Sequence, residues 1–459
     1  MKIKKLHVVN FRCFKEFDID FNTQTRQIEF YNHPRTVGPL TVIVAKNGHG
    51  KTSVLDAIRI AFGTFTSAFD YPCLKHIEKK DVHIETPENT IQSILTFPVE
   101  IHASGEIDNV DAQWSRELPK ENGKSSIKKA KVVTGYGDKL KKALKSDNAD
   151  NVILPLVAFY GTGRLWKDHR NTDKDRPLLR PRDYGYDYAL GNDSNYLATN
   201  QWLTNAIQEE NSEKLYSLKK DEVLAGQLDA IRGALDILLK DEGYCPLLHI
   251  NQKFKTLAIL APAVSHEIQD SIFLSLPISY LSDGVRCALS LFMDIAFRCT
   301  KLNPNLGNKA CEETPGIVLI DEVDLHLHPA WQQKILNTLQ FAFPKIQFIV
   351  TTHSPQVVSS VQKECVRIIS DGQIVPVFSQ TQGVESQDIL VEIFGTDSAP
   401  QDDEYVQKLN RYARLEAEGK ADTDEGKQLY DTLVGHYGKT YPPLMQIQIH
   451  KEFANGKRP

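Results

Sequence analysis

The N-terminal region has an apolar run, a glycine-bearing loop and a helical pattern in direct succession. Residues 45–53 read Ala-Lys-Asn-Gly-His-Gly-Lys-Thr-Ser; the apolar run at 41–45 precedes them, and apolar residues with helical spacing follow at 54–61. This is the strand, loop and helix context that a P-loop requires. Backbone N–H groups around Gly48 and Gly50 can converge on an anion, and the helix dipole adds to their effect. The sequence therefore predicts an α/β fold with a phosphate-binding loop.

The polar residues of this loop have the chemistry of a nucleotide site. Lys51 would reach the β- and γ-phosphates, and the hydroxyl of Thr52 would hold Mg²⁺. Ala45 stands where a P-loop usually has its first glycine, so we expect an altered start of the loop but not the loss of the site. The predicted nucleotide-binding residues of the loop are Lys46, Asn47, Gly48, His49, Gly50, Lys51, Thr52 and Ser53.

Three more apolar runs, at residues 153–159, 317–320 and 346–350, are typical of buried strands. Each run ends in polar or glycine-rich residues, and open α/β sheets bind their ligands at that end. Residues 1–40 instead alternate in polarity, which predicts strands that are exposed on one face and an antiparallel start of the chain. The alternating apolar residues are Ile3, Leu6, Val8, Phe17, Ile19 and Phe21.

Two consecutive carboxylates, Asp321 and Glu322, end the strand predicted at 317–320. Such charges are unfavourable at the end of a buried strand unless cations or hydrogen-bond donors meet them. We expect Asp321 to hold Mg²⁺ through water, and Glu322 to orient and deprotonate an attacking water molecule. The alternative is that the two carboxylates cap a helix that begins at Val323.

His353 lies just after the strand predicted at 346–350. An imidazole at this point can donate a hydrogen bond or carry a proton. A lone histidine more often has a structural role, but its position one strand after the Asp-Glu pair favours a catalytic function.

A serine precedes another helical pattern in the C-terminal half of the chain. Residues 280–286 read Tyr-Leu-Ser-Asp-Gly-Val-Arg, and apolar residues with helical spacing follow. Ser282 is placed to cap that helix, whose N-terminus would form a second anion site. A plain N-cap explains the serine, but it does not explain a Leu-Ser-x-Gly order about 35 residues before the Asp-Glu strand.

Five segments, taken together, resemble the SMC/RecF/OLD class of ABC-type ATPases. In that class, ATP is held between the P-loop of one protomer and the signature serine of another. The resemblance therefore implies ATP and Mg²⁺ as ligands, and a homodimer or higher homo-oligomer as the working form. The segments are residues 10–14, 45–53, 281–284, 320–329 and 351–355.

The same resemblance implies roles for individual residues. Arg12 would contact the nucleotide, His353 would contact its γ-phosphate, and Gln92 is a candidate for the Q-loop glutamine. The signature residues would bind the γ-phosphate across the dimer, and the D-loop residue would also act on the partner's site. These residues implied to act in trans are Ser282, Gly284 and Asp324.

The predicted fold class is α/β, an ABC-type P-loop ATPase head with an antiparallel β subdomain, a short inserted helical arm and a C-terminal helical tail. The N-terminal lobe would comprise residues 1–163 and the arm residues 164–245. The C-terminal lobe, with the signature, the Asp-Glu strand and His353, would comprise residues 246–383. The tail, residues 384–459, is a candidate docking region for a partner.

Three further segments, at residues 113–117, 154–166 and 388–395, resemble the Septu family of stand-alone ATPases from bacterial anti-phage defence islands. The likeness in length and motif order extends over nearly the whole chain. It implies a PtuB-like HNH nuclease as partner and DNA as the target of the complex. The chain itself has no nuclease motif, because His326 and His328 lie in the D-loop segment. It also lacks the CxxC hook and the long heptad run of coiled-coil repair ATPases.

Two other functions fit the same motifs. The chain could be a RecF-like DNA-binding repair ATPase, or a nucleotide-sensing scaffold with little turnover. Its net charge of -5 argues against coating DNA by bulk electrostatics, so that DNA contact needs a local basic patch. Residues 120–145 contain nine lysines, which form either a solvated surface or a phosphate contact. Without an apolar run of membrane-spanning length, a cytoplasmic location is expected, with no membrane contact.

Overall fold

This computed structural model describes residues 1–30, 32–71, 73–86, 93–163, 180–191, 196–216, 219–240, 242–262, 273–397 and 399–454. The chain divides into two compact units, Met1–Ser386 and Gln387–Pro459. The Q-loop candidate Gln92 lies outside the described residues, as do residues 164–179 and 192–195 of the predicted arm.

The strands and helices are as follows in chain order. The strands are β1 (Lys2–Phe11), β2 (Phe14–Asp20), β3 (Arg26–Phe30), β4 (His33–Val37), β5 (Leu40–Ala45), β6 (Ile84–Glu85), β7 (Ile94–Leu95), β8 (Val99–Ile107), β9 (Val110–Leu118), β10 (Leu156–Tyr160), β11 (Cys245–Asn251), β12 (Thr256–Pro262), β13 (Phe273–Pro277), β14 (Gly316–Ile320), β15 (Ile346–Thr352), β16 (Val366–Ser370) and β17 (Gln373–Val375). The helices are α1 (Lys51–Thr66), α2 (Lys131–Ala143), α3 (Tyr196–Tyr216), α4 (Glu222–Leu239), α5 (Asp283–Leu302), α6 (Ala310–Glu313), α7 (Pro329–Gln332), α8 (Ile335–Ala342), α9 (Pro355–Val358), α10 (Ser386–Glu392), α11 (Glu404–Ala417), α12 (Asp424–Tyr437) and α13 (Pro442–Ala454).

The core of the first unit is a six-stranded sheet in the order β10-β14-β15-β5-β16-β17. Its strands run parallel except for β17, which is antiparallel to β16. Strands β5, β10, β14 and β15 are buried at every residue, because both faces of the sheet are covered. The four strands predicted from apolar runs are therefore confirmed. Their carboxyl ends lie at one edge of the sheet.

A second sheet, in the order β2-β1-β8-β9, is antiparallel. The alternating apolar residues of β1 and β2 are buried, which confirms the antiparallel region predicted at the start of the chain. This sheet packs on α1, where the indole Nε1 of Trp114 donates to the carbonyl of Ala61 at 3.2 Å. Because α1 lies between both sheets, it is buried along nearly its whole length.

Helices α3 and α4 occupy the described part of the segment predicted to form an arm. The carboxylate of Asp221 caps α4, accepting hydrogen bonds from the backbone N–H groups of Val223 and Leu224 at 3.0 and 3.1 Å. The apolar stripe of α4 is buried, and the helix packs against α5 and α8. Helix α4 is thus part of the body of the first unit. Its stripe comprises Leu224, Leu228, Ile231, Leu235 and Leu238.

A three-stranded antiparallel sheet, β11-β12-β13, lies between α4 and α5 in the chain. The sequence patterns did not predict this sheet. Its last strand, β13, is followed directly by the turn that leads to Ser282 at the start of α5. The sheet therefore supports the segment that precedes the signature serine.

A buried polar network joins the end of β10 to α5. The hydroxyl of Tyr160 and the Nε of Arg298 donate to one oxygen of Asp294 at 2.8 and 2.7 Å. Thr199 donates to the other oxygen at 2.6 Å. All four residues are at most 3% exposed. Burial, together with the Asp294 charge, raises the pKa of Tyr160 well above its ordinary value, so the phenol stays a hydrogen-bond donor.

Removing the Tyr160 hydroxyl should destabilise the first unit. Tyr160→Phe leaves a buried carboxylate with one donor fewer, and we expect the free energy of unfolding in urea to fall by about 2–3 kcal/mol. Tyr186→Phe is the matched comparison, because Tyr186 is fully buried and donates to the neutral carbonyl of Pro155 at 2.8 Å. A loss of about 1 kcal/mol is expected there. Equal losses would contradict a special effect of the charged acceptor.

The second unit contains a bundle formed by α11, α12 and α13, which confirms the C-terminal helical tail. Asp403 caps α11 by accepting hydrogen bonds from two backbone N–H groups, and Thr423 caps α12 by accepting one from the backbone N–H of Gly426. In the part of the chain that the structure describes, we find no helix with the length and apolar character needed to cross a bilayer. The core of the bundle is Tyr412, Ala421, Leu433 and Leu444.

Candidate nucleotide-binding site

The loop between β5 and α1 requires glycine at two positions. Gly48 and Gly50 have φ angles of 81° and 94°, which other residues rarely adopt. At Gly50 there is also no space for a side chain, since a Cβ would lie 2.2 Å from the ring of Phe14 and 2.7 Å from the Sγ of Cys13. The turn that carries Arg12 therefore packs directly against the loop.

Lys51 begins α1 and is only 7% exposed. Its Nζ donates to the carbonyl of Ala45 at 2.9 Å, so that the ammonium group lies against the loop. Burial lowers the pKa of Lys51, while the carboxylates of Asp321, Glu322 and Asp324 act to raise it. An anion bound in the loop would act in the same direction as these carboxylates and favour the charged lysine.

The other predicted loop residues differ in exposure. Lys46, Asn47 and Gly48 are exposed, and His49 is half-buried with its Nδ1 3.1 Å from the carbonyl of Asn47. Thr52 is exposed at the first turn of α1, whereas Ser53 is buried beside Cys13. The exposed polar groups at the mouth of the loop leave it accessible to a solute.

Asp321 receives a hydroxyl group on each of its oxygens. Thr52 donates to Oδ2 at 2.9 Å, and Thr351 donates to Oδ1 at 2.6 Å. Asp321 is 4% exposed, so these donors compensate a charge that burial would otherwise disfavour. The contact with Thr52 joins the end of β14 to the start of α1. It brings the two predicted metal-binding residues together.

Glu322 follows directly and is half-buried. Its backbone N–H donates to the hydroxyl of Thr351 at 2.8 Å, and its φ of 49° lies in the left-handed region. A glutamate in that region is strained, and such strain is common at functional sites. Residues 321–326 form turns, and the next helix, α7, begins only at Pro329. The two carboxylates therefore do not cap a helix at Val323.

His353 follows the last residue of β15, which lies between β14 and β5 in the central sheet. It is half-buried. Because these strands are parallel, His353, Asp321 and the glycine loop all lie at the same edge of the sheet.

The signature segment has its own local geometry. Ser282 is the N-cap residue of α5, is exposed, and makes no side-chain capping hydrogen bond within the described residues. A Cβ at Gly284 would lie 2.5 Å from the carbonyl oxygen of His326, so glycine is needed for α5 to approach the D-loop segment. Asp324 is held in that segment by the hydroxyl of Thr352 at 2.6 Å. Among the described residues, no hydrogen bond joins the Ser282 hydroxyl to the glycine loop.

Arg12 is bound by two carboxylates. Its Nε and Nη2 donate to Asp81 at 2.9 and 2.8 Å, and its Nη1 lies 2.6 Å from Asp56 on α1. Burial acts to lower the pKa of Arg12, but both carboxylates raise it, and the net shift is upward. Asp56 also binds Lys75 at 2.6 Å and contacts Arg59. The predicted contact of Arg12 with a nucleotide stays a prediction, since here the guanidinium group meets acidic side chains.

Sequence reasoning did not identify Asp56, Asp81, Thr351 or Thr352 as parts of this site. The two threonines could have been identified from the sequence, because two adjacent hydroxyl-bearing residues end a buried strand just before His353. The aspartates gave no comparable signal, since their link to Arg12 depends on contacts between distant segments.

A family model for an AAA domain matches residues 5–242, more than half of the 459 residues. The chain belongs to the AAA domain family. A second AAA domain model matches residues 166–359, which include the signature segment and the Asp-Glu strand. Together the two matches to AAA domains extend over the glycine loop and the carboxylates that the structure brings to it.

Curated relatives of this AAA-domain chain come from bacteria. "Retron Ec83 probable ATPase" of Escherichia coli is 25% identical over 503 aligned positions, which cover 98% of this chain and 87% of the relative. "Septu protein PtuA" of Bacillus thuringiensis is 27% identical over 179 positions, covering 37% of this chain and 45% of the relative. Among solved structures, an SMC head bound to the C-terminal winged-helix domain of ScpA is 18% identical, with a TM-score of 0.45; the match covers 82% of this chain and 98% of that one.

The curated matches confirm the resemblance to a Septu-type ATPase that the motifs predicted. They also correct its extent, because the Septu match covers little more than a third of the chain and not nearly all of it. A retron ATPase matches over nearly the full length, and the sequence motifs did not identify this relative.

Proposed function

We propose that this AAA-domain protein is the ATP-binding and ATP-hydrolysing subunit of a bacterial anti-phage defence complex. In this proposal, two copies pair around ATP, and pairing controls a partner nuclease of the HNH type. The observation that carries the proposal is the cluster of Lys51, Thr52, Asp321 and Glu322 at one edge of the sheet. The similarity to a Septu protein supports the link to defence.

The residues of the cluster fit Mg²⁺ bound beside a triphosphate. Thr52 and Asp321 offer a hydroxyl and a carboxylate oxygen 2.9 Å apart, and hard oxygen donors of this kind are the ligands that Mg²⁺ prefers. Thr52 would bind the ion directly and Asp321 through water. When bound, Mg²⁺ supplies charge neutralisation for the phosphate oxygens.

The side chains of the cluster would then divide the work of hydrolysis. Lys51 would leave the carbonyl of Ala45 and bind the β- and γ-phosphates. Glu322 would orient a water molecule and accept its proton as the oxygen attacks the γ-phosphorus, while the bond from this phosphorus to the β–γ bridging oxygen breaks and ADP leaves. His353 would donate to the γ-phosphate from the neighbouring strand. Lys46, Asn47, Gly48, His49, Gly50 and Ser53 would line the phosphate site.

The proposed pairing of two copies rests on Ser282. An N-cap serine usually satisfies a backbone N–H of its own helix, but the Ser282 hydroxyl is exposed and makes no such bond within the described residues. A second copy's γ-phosphate could therefore meet both this hydroxyl and the N-terminus of α5. In the same arrangement, Gly284 and Asp324 would face the partner's site, and Arg12 would reach the nucleotide only after release from Asp56 and Asp81.

The helical tail is the proposed docking region for the nuclease. Met445 and Ile449 are both 44% exposed and lie one turn apart on α13, where they form a small apolar surface. Replacing both with glutamate should abolish co-purification with the nuclease, because burying two carboxylates in an apolar contact is strongly unfavourable.

The measurement is pull-down from cells that co-express a tagged chain and the HNH nuclease proposed as its partner. Gln428→Glu with Gln446→Glu is the control, since it adds the same charge at exposed positions of α12 and α13. Retained binding by the Met445 and Ile449 variant would remove this surface from the proposal.

Nucleic acid is the proposed target of the complex, and residues 120–145 are the proposed contact with its backbone. Lysines 129, 139 and 141 form ion pairs with acidic residues. Lysines 120, 124, 128, 131, 142 and 145 form none with the residues that the structure describes. The buried residues of α2 pack on α1, and the unpaired lysines on and around the helix are exposed, where they suit phosphate groups.

Removing three of these charges should weaken DNA binding. Replacing Lys131, Lys142 and Lys145 with glutamine should make the plot of log affinity against log salt less steep. Its negative slope should shrink in magnitude by about 3, because each phosphate contact contributes about 0.9. Fluorescence anisotropy of a labelled duplex over a salt series measures this slope. The matched control replaces Lys219, Lys253 and Lys255 with glutamine, because these lysines are exposed in loops and turns outside residues 120–145. The same slope for both triple variants would place the DNA contact elsewhere.

A further inference from the structure

Two adjacent threonines end β15 and hold the turn that contains the acidic residues of the site. Thr351 and Thr352 are completely buried. Neighbouring strand residues point to opposite faces, yet both hydroxyls contact residues 321–324. This is possible because the turn wraps around the end of β15, where the backbone N–H of Val323 donates to the carbonyl of Thr351 at 3.0 Å.

Each hydroxyl has a fixed orientation, because it donates one hydrogen bond and accepts another. Thr351 donates to Asp321 at 2.6 Å and accepts from the backbone N–H of Glu322 at 2.8 Å. A hydroxyl has a single proton, so a carboxylate on one side and an N–H on the other leave one favourable rotamer. Thr351 thereby ties the carboxylate of Asp321 to the backbone of Glu322.

Thr352 repeats this arrangement with different partners. It donates to Asp324 at 2.6 Å and accepts from the backbone N–H of Ser354 at 2.9 Å. Ser354 is itself fixed, since it caps α9 and donates to Gln332 at 2.7 Å. Thr352 thereby links the carboxylate of Asp324 to the backbone of Ser354, the residue that follows His353.

We propose that the two threonines are positioning residues for different active sites. Thr351 positions Asp321 and Glu322 for the site of its own chain, and Thr352 positions Asp324 for the site completed with a second copy. This inference deepens the proposed function and rests on it for the pairing of two copies. In this arrangement, two adjacent residues of β15 act on two different active sites of the paired copies.

The first test separates the two threonines by their response to Mg²⁺. Thr351→Val should lower kcat and raise the Mg²⁺ concentration for half-maximal activity, each by about 10- to 100-fold, as is usual when a partner of a metal-binding carboxylate is lost. Thr352→Val should lower kcat without changing the Mg²⁺ requirement. Thr351→Ser and Thr352→Ser keep the hydroxyl and should restore most of the activity. An unchanged Mg²⁺ requirement in Thr351→Val would overturn its assigned role.

The second test uses mixed dimers in which only one site binds ATP. Lys51→Ala disables the site that uses the glycine loop of its own chain. In the first pair, a Thr352→Val chain is combined with a Lys51→Ala chain, so the working site receives Asp324 from a chain with intact Thr352. In the second pair, one chain carries both changes and the other is wild type, so the working site receives Asp324 from the Thr352→Val chain. Two different affinity tags isolate the mixed dimers.

The expected result is that the first pair equals the control pair of wild type with Lys51→Ala, and that the second pair is about 10-fold slower. The reverse order would mean that Thr352 acts on the site of its own chain through His353, and equal loss in both pairs would mean a general structural defect. Either result overturns the assignment of Thr352. If the control pair of wild type with Lys51→Ala were inactive, the proposal that two copies share their active sites would be contradicted. The role assigned to Thr352 depends on that proposal and would be contradicted as well. The Mg²⁺ measurement would still decide the role of Thr351.

Discussion

Glu322→Gln should lower kcat for ATP hydrolysis by about 10²- to 10⁴-fold, the range that a general base contributes. Glutamine has nearly the size of glutamate and can still hold a water molecule, but it cannot accept the proton. ATP affinity should stay within about threefold of wild type, since the phosphates are bound by the glycine loop and Lys51 and not by this carboxylate. The variant should therefore retain ATP and, in the proposed function, remain in the paired state.

Phosphate release at saturating ATP and Mg²⁺ gives kcat, and titration with a fluorescent ATP analogue gives the affinity. Glu385→Gln is the control, because it makes the same chemical change at an exposed position. Hydrolysis near the wild-type rate in Glu322→Gln would disprove the assignment of the base. If the wild type itself hardly hydrolyses ATP while binding it tightly, the protein is better described as a nucleotide-sensing scaffold.

The parts of the fold that the sequence predicted are those with a local signal. Four of the six strands of the central sheet are buried on both faces and appear in the sequence as apolar runs, as for 317–320 before Asp321. The glycine loop needs Gly48 and Gly50 for backbone reasons, and Gly50 also for lack of space. Each of these requirements falls within a few residues, so a single sequence can display it.

The parts that the sequence did not predict depend on contacts between distant residues. Arg12 meets Asp81 across 69 positions of the chain, and Thr351 meets Asp321 across 30. The hydrophobic periodicity of a sequence gives no information about contacts between residues so far apart in the chain. The burial of α4 is a related case, because its apolar stripe predicts a helix but not the α5 surface that covers it.

Ser282→Ala should leave ATP binding nearly unchanged and abolish most of the hydrolysis. The residues that bind ATP within one chain remain intact in this variant, whereas the hydroxyl proposed to close over the γ-phosphate of the other copy is lost. Loss of one such donor to a transferring group lowers kcat by about 10²- to 10³-fold. Lys51→Ala should show the opposite defect, with ATP affinity reduced about 100-fold or more, because a charge-assisted contact to the phosphates is removed.

Mixing the two inactive variants should restore hydrolysis. In a mixed dimer, one site combines Lys51 of the Ser282→Ala chain with Ser282 of the Lys51→Ala chain, and the other site has both defects. Random pairing of equal amounts makes half of the dimers mixed, so the mixture should reach about a quarter of the wild-type rate if subunits exchange freely in a twofold pair. The matched control mixes Ser290→Ala with Lys51→Ala. Ser290 also lies on α5, but it donates to the carbonyl of Arg286 within its own helix, so only the Lys51→Ala chains should lower the rate of this mixture. If isolated, stable mixed dimers of the two inactive variants stay inactive, Ser282 does not complete a neighbour's site, and the exposed hydroxyl at the start of α5 needs another explanation.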